Sequence, residues 1–168
     1  HLNVRRQRQM CIRDRYNCIY DCRYCFLQGM YSSANYVLFV NYEDFFKAIS
    51  DTIDKNTDTS LTFFSGYDCD SLAFEKITGF AEKALEFFTN FSSVELELRT
   101  KSIVSETLLK RSPISNCIVA YSLSPSNLSG VLDNKAPSIE RRVNALKTLA
   151  KNGWTVGLRF DPLIYCSG

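Results

Sequence analysis

No stretch of this 168-residue sequence approaches the roughly 18 to 20 uninterrupted apolar residues that a membrane-spanning helix needs. Nothing like an apolar signal peptide precedes its cysteines, and they number seven, an odd count. Both absences argue against a secreted disulfide framework, and abundant unpaired thiol suits a reducing cytosol, so a cytoplasmic location is expected. Histidine is reduced to His1, and no second Cys-x2-Cys pair accompanies the cysteines, which leaves structural zinc without an evident fourth ligand. Neither sign of charge predominates. The net value is +2, but Arg5, Arg6, Arg8, Arg13 and Arg15 against Asp14 put +4 into the first fifteen residues. The other 153 residues carry 15 basic and 17 acidic groups. Such a balance has no basic footprint for nonspecific nucleic-acid binding and decides nothing about DNA.

What is present is enough for one core: 45% hydrophobic residues, with 13% aromatic, in a length that suits one domain. The basic stretch over residues 4–15 shows no helical or strand periodicity and resembles translated sequencing-adapter read-through. The expectation is a non-native or disordered leader over 1–15 and a core domain over 16–168, a fragment open at both ends.

After the first cysteines, apolar runs alternate with helical patterns every 25 to 35 residues or so, the rhythm of βα units and a parallel sheet. Strands are expected at 36–40, 61–64, 94–98, 117–123 and 154–160. Asn41 with Asp44 reads as a capping box before Phe45, Phe46, Ile49 and Ile53. Asp70 or Ser71 is expected to cap one long helix whose buried stripe is Ile77, Phe80, Ala81, Ala84, Leu85 and Phe88. Helices at 102–111 and 137–152 follow, the second with Pro near its start and Gly153 past its end. The fold class is α/β, either an open doubly wound sheet or a barrel.

The sharpest feature is the run Cys18-Ile19-Tyr20-Asp21-Cys22-Arg23-Tyr24-Cys25. A cubane [4Fe–4S] cluster is usually held by four cysteines, so a loop supplying three leaves one iron open to another molecule. In parallel α/β folds ligands bind at the carboxyl ends of strands, which draws in Ser65, Gly66, Asp68 and Asp70, then Arg99, Thr100 and Lys101, then Ser122, Ser124 and Asn127, and Asp161.

At the cysteines the sequence resembles the radical S-adenosylmethionine superfamily, whose signature is C-x3-C-x2-C with an aromatic, here Tyr24, before the last cysteine. The resemblance implies a partial (β/α)6 barrel, truncated at both ends and lacking its first strand. It implies a [4Fe–4S] cluster on Cys18, Cys22 and Cys25, with S-adenosylmethionine on the open iron, split to methionine and a 5′-deoxyadenosyl radical. Lys101, Asp70, Ser122 and Tyr24 would offer that cofactor a cation, an acceptor, a hydroxyl and an aromatic edge. A reductant such as flavodoxin or ferredoxin would supply the electron.

Over residues 18–165 the chain resembles the spore photoproduct lyase family, which reverts a thymine dimer in DNA. The resembling pieces are Cys22-Arg23-Tyr24-Cys25-Phe26-Leu27-Gln28, Val40-Asn41, Asp70 with Glu75, Thr100-Lys101, Tyr121-Ser122-Leu123-Ser124-Pro125, and Ile139-Glu140-Arg141-Arg142 leading to Gly157 and Pro162. By that resemblance Lys101 and Ser122 contact the cofactor, Asp70 or Ser71 sits near it, and DNA is a partner. Two positions depart. The family cysteine that donates hydrogen to the product radical aligns with Tyr67, and the relaying tyrosine is Phe26, which has no hydroxyl. Cys69, two residues on, takes over the donor role if the loop shifts, since alternate residues on an extended stretch share one face; the alternative is that Cys69 is simply a buried small hydrophobe. Two alternatives stay open: a radical enzyme on a different substrate, and a non-enzymatic metal-binding module with a zinc ligand from Cys11, Cys69, Cys117, Cys166 or His1.

Overall fold

Alternating apolar positions build one five-stranded parallel sheet in the computed structural model, which describes residues 8–30, 32–33 and 35–163. The elements up to the second sheet strand are β1 Arg8–Ile12, β2 Arg15–Tyr16, β3 Asp21–Cys22, α1 Leu27–Met30, β4 Val37–Leu38, α2 Tyr42–Asp54 and β5 Leu61–Ser65. There follow α3 Glu75–Thr78, α4 Phe80–Phe88, β6 Val94–Thr100, α5 Glu106–Leu109, β7 Cys117–Ser122, α6 Ser126–Leu132, β8 Asp133–Asn134, α7 Ile139–Lys151 and β9 Thr155–Arg159. The sheet runs β1-β5-β6-β7-β9, every neighbouring pair parallel, so each βα unit lays its strand beside the last. The expected α/β class with a parallel sheet holds. Among the described residues no helix is long and apolar enough to cross a membrane.

The pleat decides the two faces. Phe63, Leu96, Leu98, Val119 and Tyr121 pack in one cluster with Ile49 of α2, Phe80, Leu85 and Phe88 of α4, Leu108 of α5 and Leu149 of α7. Each Leu or Phe fully buried there contributes about 1.5–3 kcal/mol. The opposite face is polar. Glu97 accepts hydrogen bonds from Arg99 (3.3 Å) and Arg159 (3.0 Å), and both guanidinium groups lie over Phe64, 5.6 and 5.8 Å from its ring centroid.

Three expectations change. The first concerns the leader over 1–15 and the missing first strand: Arg8–Ile12 pairs with Leu61–Ser65 as the sheet's first strand. Parallel pairing uses backbone groups, so only Met10 and Ile12 need to be apolar to meet the core, and two positions are too few to show a period. Asp14 and Arg15 are buried and form an ion pair at 2.6 Å, while Arg15 Nη2 donates to the Ser71 carbonyl at 3.1 Å. Residues 1–7 lie outside the described residues.

The second concerns 36–40. Val37–Leu38 pairs antiparallel with Arg15–Tyr16 in a separate ribbon, and Tyr36, Val37, Leu38 and Val40 stay exposed, so this apolar run never reaches the sheet. The third concerns helix starts. Asn41 makes no side-chain cap; its amide donates to the Asp44 carboxylate at 2.9 Å instead. The long helix after Asp70 is two helices, broken at Gly79, whose φ of 58° lies in the left-handed region. Glu75 then caps the second, accepting from Ala81 N (2.9 Å) and Glu82 N (3.1 Å).

Candidate functional site

The carboxyl ends of β5, β6 and β7 meet the cysteine loop around a cavity of about 150 Å³. The loop is fixed locally: Cys25 N donates to the Cys22 carbonyl (2.9 Å), Gln28 Nε2 donates to the same carbonyl (2.6 Å), and β3 pairs with β8 so that Cys22 lies opposite Asp133. Cys18, Cys22 and Cys25 all line this cavity, with Cys22 buried and the other two half-buried. A wider hollow of about 470 Å³ on the other side of the loop touches Cys18 and Cys25 but none of the strand-end residues.

Burial pushes the Cys18 thiol up to about 12, with Asp70 and then Cys22 and Cys25 adding to the cost of a negative charge. Burial also raises Cys22, against the pull of the Lys101 ammonium. Thiols so placed stay protonated until a cation compensates them. Among the described residues, no three His, Cys, Asp or Glu side chains are grouped to hold a single metal ion. Three thiols on one cavity, beside an ammonium and a hydroxyl, are a donor set of the kind that holds an iron–sulfur cluster with one iron left open. Of the further zinc ligands, Cys117 is buried in the core and Cys11 is exposed on β1, while His1 and Cys166 lie outside the described residues.

Tyr24, Asp70, Lys101 and Ser122 line the same cavity as the cysteines. Lys101 extends over Tyr24, its ammonium 5.6 Å from the ring centroid. Asp70 is already bonded: Oδ1 accepts from Thr100 Oγ1 (2.7 Å), Leu72 N (3.0 Å) and Ala73 N (2.9 Å), and Oδ2 accepts from Lys101 N (2.6 Å). It therefore staples the segment after β5 to the end of β6. Ser71 is not among the cavity residues; it is fully buried against Gly66. A Cβ at position 66 would fall 2.6 Å from Ser71 Oγ and 2.8 Å from the Arg99 carbonyl, and φ there is 84°, so only glycine lets this loop turn inward.

Beyond Gly66 the segment bends and is not extended, which removes the shared-face argument for Tyr67 and Cys69. Both nevertheless reach the cavity, Cys69 buried and Tyr67 at 43% exposure. Tyr67 leans on Phe26 with ring centroids 5.9 Å apart, and Arg13 caps its other contact at 5.3 Å from the ring. Burial strongly raises the Cys69 thiol, so it stands as a neutral S–H.

Sequence reasoning misses Asp133. It is 4% exposed and accepts hydrogen bonds from Tyr24 OH, Ser124 Oγ and Ser129 Oγ while pairing with the fully buried Arg142 at 2.8 Å. Although burial pushes its carboxyl up, the Tyr24 hydroxyl and the Arg142 guanidinium hold it below the usual carboxylate range. A lone Asp ahead of Asn134 and Lys135 reads as an ordinary turn, and only Arg142 within the resembling run hints at a buried partner.

The sequence profile described as spore photoproduct lyase matches residues 10–168. A spore photoproduct lyase of a Geobacillus species is 23% identical over 147 residues, 87% of this chain and 43% of its own length. That of Clostridium acetobutylicum is 21% identical over 147 residues, covering 87% and 44%. The chain thus spans less than half the length of these relatives. Among solved structures, a cysteine-to-alanine variant of spore photoproduct lyase with dinucleoside spore photoproduct superposes with TM-score 0.87 at 21% identity, over 94% of this chain and 46% of that one. A double variant with bound AdoMet and the same dinucleoside gives 0.86 at 20% identity, over 95% and 47%. These likenesses carry the fold, a parallel α/β sheet that corresponds to part of a barrel.

Proposed function

We propose a function from one premise: the chain belongs to the spore photoproduct lyase family. It forms the cofactor half of a radical S-adenosylmethionine enzyme, with Cys18, Cys22 and Cys25 as ligands of a [4Fe–4S] cluster. The observation that carries this reading is the meeting of all three thiols, Lys101 and Ser122 around one cavity at the carboxyl ends of the strands. Bound together, the cluster and S-adenosylmethionine supply a 5′-deoxyadenosyl radical.

The chain's own residues do the rest by placement. The Lys101 ammonium meets the cofactor carboxylate, and Ser122 offers it a hydroxyl. The Tyr24 ring walls the side where Lys101 lies. Asp70 acts one step back, because its bond to Lys101 N fixes the strand end that carries the cation. Ser71 holds the loop from beneath and touches nothing in the cavity. Cys69 holds its proton on sulfur inside the cavity and is the hydrogen-donor group toward a substrate radical. DNA carrying a photoproduct is the substrate class, a flavodoxin or ferredoxin the electron donor, and the cytoplasm the compartment in which six free thiols among the described residues persist.

A second reading has a specific observation behind it. By the resemblance Phe26 and Tyr67 stand at the two relay positions, and their rings lie 5.9 Å apart where both line the cavity, which favours radical chemistry on a substrate other than the thymine dimer.

Anaerobic reconstitution of the chain with iron and sulfide tests the premise of cluster binding. The expected result is a cluster whose electron paramagnetic resonance spectrum changes on adding S-adenosylmethionine, followed by reductive release of 5′-deoxyadenosine. Uptake of zinc in place of iron and sulfide, or a cluster blind to S-adenosylmethionine, overturns the assignment. Dimer-containing DNA left unchanged by a chain that does release 5′-deoxyadenosine selects the second reading.

A further inference from the structure

Asp133 sits where α6 ends and β8 begins, outside the cavity lining but hydrogen-bonded to Tyr24 on its wall. Its Oδ1 accepts a hydrogen bond from the Tyr24 hydroxyl. Its Oδ2 takes Ser124 Oγ and Ser129 Oγ, each at 3.1 Å, and the Arg142 guanidinium at 2.8 Å. Arg142 in turn donates Nε to the Pro137 carbonyl (2.7 Å) and Nη1 to the Ser122 carbonyl (3.1 Å). The same stretch also grips the cysteine loop by backbone: Cys22 pairs opposite Asp133, and Arg23 N donates to the Leu132 carbonyl at 2.9 Å.

A buried ion pair of this kind adds little stability over apolar side chains of the same volume, so stability does not account for it. Position does. Tyr24 stands between Cys22 and Cys25, lines the same cavity, and gives its one hydroxyl hydrogen bond to Asp133. The carboxylate thereby ties the stretch that carries both cysteines to β8 through a side chain as well as through the backbone.

We propose that Asp133 is a positioning residue for the cysteine loop, holding the Tyr24 hydroxyl and with it the stretch 22–25 in register with the Ser122 end of β7. This rests on the reading that Cys22 is a cluster ligand. Hydrogen bonds to cluster sulfurs and nearby charge set a cluster's potential, and partners behind a metal ligand set its retention. Removing the carboxylate takes a negative charge from beside the loop and releases the Tyr24 hydroxyl as a donor among the residues that line the cavity, and both changes move the cluster potential in the positive direction.

The test compares Asp133→Asn, Tyr24→Phe and the double variant in the 168-residue chain. Without metal, iodoacetamide labelling read cysteine by cysteine by mass spectrometry is expected to show Cys22 reacting several-fold faster in each single variant and no faster in the double. Cys117, buried in the core away from the loop, is expected to be unchanged. After reconstitution, iron affinity is expected to fall about 10- to 100-fold and the potential to shift positive. A core variant, Leu149→Ala, is expected to leave that potential where it was. Equal acceleration of Cys22 and Cys117, or a potential in Asp133→Asn identical to the parent's, overturns the proposal. A parent chain that takes up no cluster while Cys22 alone responds to Asp133→Asn defeats the cluster reading and supports the positioning role.

Discussion

On the helix side of the sheet, Phe80, Phe88, Leu96, Leu98 and Leu149 are completely buried in one apolar cluster; at the carboxyl end Asp70, Asp133 and Arg142 are almost as deeply buried, yet each is held by named hydrogen bonds. Many interchangeable contacts secure the first region, whereas a handful of irreplaceable ones secure the second. The body of the domain and its mouth are therefore expected to fail in different ways.

The largest loss of folding is expected in the body. Phe88→Ala should lower the unfolding free energy by about 3–5 kcal/mol, read by urea denaturation of the metal-free chain. Arg142→Met should cost nearly as much, about 3–5 kcal/mol, because it strands the Asp133 carboxylate in the interior. Adding Asp133→Leu should restore most of that stability while leaving Cys22 open to alkylation, which separates folding from positioning. If the double substitution restores both, the two regions are not distinct. Asp70→Ala should cost about 1–3 kcal/mol by leaving Thr100 Oγ1 and three backbone N–H groups without their acceptor.

Glu75 is a polar anchor on the helix side, and its effect is smaller. Burial pushes its carboxyl above the usual range, so the folded chain holds that proton more tightly than the unfolded one. Its favourable share is complete below the ordinary value of 4.5 and is lost as the pH rises through the raised value. The stability at pH 4 minus that at pH 7, both measured by denaturation, should therefore be slightly smaller in Glu75→Gln than in the parent, because the glutamine has no proton to lose. Smallest for folding is Cys25→Ala, within about 0.5 kcal/mol at a half-buried site. The same change is expected to abolish iron retention, the clearest sign that the mouth carries the chemistry and the body does not.

Legibility follows the same division. Strands β5, β6, β7 and β9 and helix α7 are evident in sequence, because apolar periodicity records burial against helices, and four of the five expected sheet strands stand where that periodicity puts them. Strand β1 is invisible, since its role is backbone pairing by residues such as Arg8 and Gln9. The run at 36–40 misleads for the opposite reason: it is apolar yet exposed. At the site, Cys18, Cys22, Cys25, Lys101 and Ser122 are found from spacing, strand ends and resemblance, and they do meet. Asp133 is not found, because its partners Tyr24 and Arg142 lie 109 residues before and 9 after it, and nothing local records that closure.

Gly66 and Ser71 have one more consequence. The hydrogen at position 66 lets Ser71 tuck underneath, and Asp70 ties the far end to the neighbouring strand, so both ends of a short arch are anchored independently of what its crown displays. Tyr67 and Cys69 sit on that crown. Such an arch works as an exchangeable cassette: the side chains on its crown can be changed while the fastenings at either foot stay as they are.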